Sequence, residues 1–222
     1  EDLPLLLRQA FREATTGAPG PVHLDLLGFT GELIAEAEGD LEVIIEESFA
    51  HLPPFRPEPE SGRVQQAATL ISQAQRPVLM AGGGVTFSQA GPETVALAEK
   101  LSMPVVTSLN GKGVIPETHP LAVGVGGTYS RWCANQILAE ADLVIFVGSH
   151  TGGQATHFWQ VPKPGTPVIQ IDVDPARLGL NYPNVVALQG DAKVTLQRLI
   201  EAVAPAPGVT PWSMYAQELV SQ

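Results

Sequence analysis

The sequence predicts an α/β fold, a doubly wound parallel sheet of five to six strands with helices on both faces. Three observations predict it. Short apolar runs recur at Val78–Ala81, Pro104–Thr107, Leu143–Val147, Pro167–Ile171 and Val185–Leu188. They are apolar throughout rather than alternating, which is the pattern of strands buried on both faces. Helix-compatible stretches separate them, and strands that alternate with helices make a parallel sheet with right-handed crossovers.

The first run empties into Gly82-Gly83-Gly84. Without β-carbons the chain can turn sharply there and bring peptide N–H groups close to a phosphate or to another backbone. A dinucleotide fingerprint needs glycine at the first, third and sixth positions, and counting from Gly82 the sixth is Phe87. The triplet is therefore no standard NAD site, and a tight ligand-free turn explains it equally well. In the expected Rossmann-like order the first and third runs lie side by side at a switch point, where ligands bind at strand carboxyl ends. That order sets Gly82–Gly84 beside Gly148-Ser149-His150-Thr151-Gly152-Gly153, two glycine-rich turns on one crevice.

Before the regular part, Leu3, Leu6, Leu7, Ala10, Phe11 and Ala14 share one helical face, and a strand is expected at Val22–Leu26. Residues 31–51 read as acidic and helical, interrupted near Gly39-Asp40. Pro53, Pro54, Pro57 and Pro59 then mark a semi-rigid connector. A helix is expected over Ser61–Gln75, with Val64, Ala67, Ala68 and Ile71 inward. The expected divisions are residues 1–30, a linker at 31–60, a core domain at 61–204 and the start of another linker at 205–222.

Composition narrows the function. The chain has 222 residues, 44% of them hydrophobic, and a formal charge of −11. No apolar run approaches the roughly 18 residues of a membrane span. The few scattered cations argue against a nucleic-acid partner. One cysteine, Cys133, permits no intrachain disulfide and fits a reducing, cytoplasmic setting. No metal-like spacing joins His23, His51, His119, His150 and His157, and neither G-x-S-x-G nor H-E-x-x-H occurs. Cys133, beside Trp132 on an expected helix, reads as packing, and Trp159 and Trp212 have no periodic context.

The candidate binding residues follow from the strand ends. Thr107 and Ser108 end the second run, and Gly148 and His150 follow the third. Asp172 ends the fourth run as an exposed acid able to accept from ribose hydroxyls or an adenine amino group. Asp174 before Pro175 reads mainly as a helix cap. Gly190 and Asp191 follow the fifth run, where Asp191 suits a cap on Ala192–Ala204 and a ligand contact equally.

Taken together, Pro77–Gly84, Pro104–Gly113 with Ile115–Leu121, Ala141–Ser149, Ile169–Pro175 and Gly190-Asp191 resemble the central domain of thiamine-diphosphate-dependent enzymes of the acetolactate-synthase-like kind, in the family's order. Residues 1–27 resemble the last helix and strand of that family's pyrimidine-binding domain, through Gly20-Pro21-Val22-His23-Leu24-Asp25-Leu26. The chain, which opens on Glu1, thus looks like an excised middle. The resemblance implies a sheet of the DHS-like NAD/FAD-binding type, a parent lyase or transferase acting on 2-oxo acids, and thiamine diphosphate with magnesium bound outside this chain. It also implies a homo-oligomer whose pyrimidine- and diphosphate-binding domains are the missing partners.

Members that hold FAD use the glycine triplet, the turn after the second strand, an R-F-D type stretch after the third, the acid after the fourth and a Gly-Asp turn. Here Gly82–Gly84, Thr107-Ser108-Leu109, Asp172 and Gly190-Asp191 match, but the third stretch reads Ser149-His150-Thr151-Gly152-Gly153-Gln154, without arginine or acid. Loss of a guanidinium that pairs with diphosphate predicts an empty or weak crevice for FAD or an adenine nucleotide. The alternative is a stand-alone nucleotide-binding module, related by fold to electron-transfer flavoproteins or transhydrogenase domains.

Overall fold

The computed structural model describes residues 3–25, 42, 44–183 and 185–222. They divide into two compact units, Glu1–Phe55 and Arg56–Gln222.

Among its described residues the first unit holds helix α1 (Leu3–Thr15) and a 3-10 turn, Glu47–Phe49. Arg8 and Arg12 both reach Glu46, at 3.0 and 2.7 Å, and the Arg12 guanidinium lies 4.2 Å over the Phe49 ring. The hydrogen bond from Arg8, then that from Arg12, holds the Glu46 carboxyl below its ordinary range. Leu7, Phe11, Ile44, Ile45 and Phe49 line a groove of about 410 Å³. No residue of α1 is buried. The strand expected at Val22–Leu26 does not form over residues 22–25, which are exposed; a strand gains its hydrogen bonds only from a neighbour. Of the acidic helix expected at 31–51, residues 31–41 and 43 lie outside the described residues, as does Leu26, and the remainder forms only the 3-10 turn.

The second unit runs α2 (Ser61–Gln73), β1 (Pro77–Ala81), α3 (Gly83–Phe87), α4 (Gly91–Leu101), β2 (Val105–Thr107), β3 (Ala122–Val125), α5 (Trp132–Glu140), β4 (Leu143–Val147), β5 (Val168–Asp172), β6 (Val186–Gln189), α6 (Ala192–Ala202) and α7 (Pro211–Ser221). Its six strands are all parallel in the order β3-β2-β1-β4-β5-β6. The first and third expected runs are thus neighbours, with Ala81 opposite Val147. Strand β3 was not among the expected runs, being four residues long with Gly124 inside it.

Side chains alternate across the sheet with period two. Leu79, Ala81, Ile145, Val147, Ile169 and Ile171 face α2, α4 and α6. Val78, Met80, Val144, Phe146 and Val168 face α5 and α7. Residues 205–222, read from sequence as the start of a linker, contain α7, whose Trp212, Ala216 and Leu219 are buried. The Trp212 indole N–H donates to Pro77 O at 3.0 Å, and Thr210 and Ser213 form a reciprocal capping box at the helix start.

Candidate functional site at the sheet's carboxyl edge

The turns after β1 and β4 meet directly, but they meet each other. Gly82 N–H donates to Val147 O at 2.8 Å, Gly84 N–H to Gly148 O at 2.9 Å, and Gly148 N–H to Ile171 O at 2.8 Å. A β-carbon on Gly82 would lie 2.2 Å from Gly148 O, and one on Gly84 2.7 Å from Gly148 Cα. Gly148 itself sits at φ +56°. These glycines let one backbone lie on another, and two of the triplet's three N–H groups are spent on carbonyls that a phosphate would have to displace. Gly83 opens α3 beside the Asn110 side chain.

The turn after β2 is stitched to the same place. Ser108 N–H donates to Ala81 O at 2.9 Å, and the Ser108 hydroxyl accepts from Gly111 N–H. Thr107 is buried, and its hydroxyl has no hydrogen-bond partner among the described residues.

Asp172 departs from the exposed acid expected at the end of its strand. It is buried, because β5 runs inside the sheet between β4 and β6, and Gly190 N–H donates to its carbonyl at 3.0 Å. Its carboxylate accepts from Asp174 N–H at 3.0 Å. Burial pushes its pKa up, opposed by that hydrogen bond and by the nearby His150. His150 is exposed, and its carbonyl accepts from the Asn181 side chain. Asp174 caps the 3-10 turn Pro175–Arg177 through Ala176 N–H, as expected.

Asp191 also caps its helix, accepting from Val194 N–H at 3.2 Å. Its buried carboxylate takes Arg56 at 2.9 Å on Oδ1 and the Ser88 hydroxyl at 2.7 Å on Oδ2. Asp191 N–H donates to Pro57 O, and a β-carbon on Gly190 would meet Pro57 and Pro59. Residues 56–59 of the proline-rich connector are thereby fastened to the start of α6. Both carboxylate oxygens are engaged in holding the connector and the helix start. Among the described residues no group of three or more His, Cys, Asp or Glu side chains is arranged to hold a metal ion.

Four features were missed in the sequence. Arg56 is the only cation between Arg12 and Arg63, a weak hint of its anchoring role. Ser88 shares Asp191 with it, and its hydroxyl accepts from Lys193 N–H. Gln170, buried in β5, donates to Ser149 O and Arg177 O and accepts from Gly179 N–H. The fourth is backbone strain after β4: Thr151, His157, Phe158 and Trp159 all have φ between +49° and +60°. Left-handed conformation costs a residue with a side chain roughly 1–2 kcal/mol. The Thr156 hydroxyl supports that turn, donating to Gly152 O and accepting from Trp159 N–H.

Residues 64–199 match the family described as "Thiamine pyrophosphate enzyme, central domain". The chain belongs to that family. The central domain and its flanks are 38% identical over 205 residues to a probable acetolactate synthase large subunit of Methanocaldococcus jannaschii, covering 91% of this chain and 34% of that protein. Similarity to the acetolactate synthase large subunit of Corynebacterium glutamicum is 34% over 224 residues, covering 98% and 35%. For the acetolactate synthase isozyme 1 large subunit of Escherichia coli it is 35% over 207 residues, covering 93% and 35%. The chain spans about a third of the length of these curated relatives. Among the described residues no helix is long and apolar enough to cross a membrane.

Proposed function

We propose that this chain is the central, structural domain of a thiamine-diphosphate-dependent lyase or transferase that decarboxylates or joins 2-oxo acids. The cofactor supplies the carbanion chemistry, with magnesium, in parts of a longer protein, and the 222-residue chain alone is inactive. The observation that carries this reading is the match of the whole sheet to the central domain in proteins about three times as long. The pyrimidine- and diphosphate-binding domains are the partners this implies, in a cytoplasmic homo-oligomer; the buried, free Cys133 fits a reducing setting.

Within this reading the crevice residues Gly82, Gly83, Gly84, Thr107, Ser108, Gly148, His150, Asp172, Gly190 and Asp191 fasten strand ends to one another more than they hold a ligand. The occupied glycine N–H groups, the engaged Asp191 and the lack of an arginine near Gly148 in the sequence support a weak site for FAD or an adenine nucleotide. The other reading is a stand-alone nucleotide-binding module; the strand order β3-β2-β1-β4-β5-β6, that of dinucleotide-binding sheets, suits both readings.

Calorimetric titration of thiamine diphosphate with magnesium into the chain, beside an assay of pyruvate decarboxylation, tests the proposal. The expected result is no saturable binding and no turnover. Micromolar binding of the cofactor overturns it.

A further inference from the structure

The 3-10 turn after β2, Leu109–Gly111, contains the only Asn-Gly pair of the sequence. An asparagine amide carbon is open to attack by the peptide nitrogen of the next residue, and a following glycine has no β-carbon to shield that nitrogen. Asn135, Asn181 and Asn184 are followed by Gln136, Tyr182 and Val185, which carry one. Asn110 is also exposed, within reach of the base and the water that the reaction needs.

The fold opposes this attack at the nitrogen itself. Gly111 N–H donates to Ser108 O at 3.1 Å and to Ser108 Oγ at 3.2 Å, so the proton that must leave is shared between two acceptors. A five-membered ring closes only when Gly111 N nearly eclipses Asn110 Cβ about the Cα–C bond, and the ψ of a 3-10 turn holds the two roughly a right angle apart. Turning that peptide would also pull Asn110 O from the Thr86 hydroxyl, which donates to it at 3.3 Å. Behind the turn there is no spare room. Gly111 is buried, and a β-carbon on it would lie 2.2 Å from Ala81 O, the carbonyl that accepts from Ser108 N–H.

We propose that Asn110 is a site of covalent modification, spontaneous deamidation, which Ser108 keeps closed and which opens when the turn after β2 loosens. Gly111 N gives up its proton and bonds to Asn110 Cγ; the Cγ–Nδ2 bond breaks, and the amide leaves with that proton as ammonia. Water then opens the cyclic imide at one of its two carbonyl carbons. Opening at Cγ leaves an aspartate in a normal chain, whereas opening at the main-chain carbon routes the chain through Cβ and lengthens it by one carbon. Both products add a negative charge beside Gly83, and the longer one cannot seat Gly111 against Ala81 O, so it holds the turn open.

The test is incubation of the 222-residue chain in mildly alkaline buffer, with conversion at Asn110 followed by peptide mass spectrometry and ion exchange. Because the reaction draws on the open fraction of the turn, the folded chain should convert at least roughly tenfold more slowly than the chain in urea. Ser108→Ala, without denaturant, should convert roughly threefold faster than the wild type or more, as expected for a lost cap. Ser108→Thr keeps the hydroxyl and should restore the wild-type rate. Asp174→Ala, which loosens a turn elsewhere, should leave the rate unchanged. Equal rates with and without urea overturn the proposal. So does a Ser108→Ala rate equal to that of the wild type, to that of Asp174→Ala or to that of Ser108→Thr.

Discussion

Helix α1 in the first unit and helix α6 in the second carry the same kind of apolar stripe, yet no residue of α1 is buried, whereas Ala192, Thr195, Leu196 and Leu199 of α6 are. The difference lies in what each stripe meets. Helix α6 faces Ile169, Ile171 and Leu188 of the sheet, and its first turn is fastened by Asp191 to Arg56 and Ser88. Among the described residues, helix α1 is tied by Arg8 and Arg12 to Glu46, with its leucines half-exposed. Periodicity shows which side of a helix is to be buried, and only the presence of a partner converts that into stability.

Truncating a side chain on each helix sharpens the comparison most. Leu196→Ala should cost about 2–5 kcal/mol in urea unfolding, as a fully buried leucine leaves a cavity. Leu6→Ala should cost less than about 1 kcal/mol, because its side chain is already half-exposed. Equal losses would mean that α1 is packed as firmly as α6. Next in size is the fastening of α6. Asp191→Ala removes a cap and leaves Arg56 without its carboxylate, for a loss of about 2–3 kcal/mol. Asp174→Ala, which removes an outlying cap and a partly exposed pairing with Arg177, should cost about 0.5–1 kcal/mol by the same measurement.

The smallest effect concerns Asp172, whose folded-state pKa is raised by burial from the ordinary 3.8. A raised carboxyl binds its proton more tightly in the folded state. The stability linked to it is complete below pH 3.8 and is lost as pH rises through the folded-state pKa. Asp172→Asn keeps an acceptor for Asp174 N–H without the buried charge. It should melt slightly higher than the wild type at about pH 7, with the difference closing below pH 3.8. An advantage that persists unchanged in acid would show that packing, not charge, sets it.

Much of the second unit was legible because its strands are continuous apolar runs that only a doubly covered sheet can bury, and because Gly82–Gly84 and Gly148 mark the strand ends. Asp174 and Asp191 were readable as caps from their place before a helix. Strand β3 was not, since four residues containing a glycine carry little periodic pattern. Arg56 and Ser88 were hidden for a different reason: their partner is Asp191, more than 100 positions away. The burial of Asp172 followed from its strand's place in the sheet order, which an isolated strand-end motif does not contain. The left-handed turn at His157–Trp159 runs against the preferences of its own residues, so only the folded chain displays it.

The most direct measurement is calorimetric titration of FAD and of ADP into the purified chain. With Gly82 and Gly84 N–H groups committed to Val147 and Gly148, binding should be no tighter than about 100 μM, roughly −5.5 kcal/mol. A chain that purifies yellow, or binds either ligand with micromolar affinity, would contradict the claim that these glycines fasten the sheet to itself instead of holding a nucleotide.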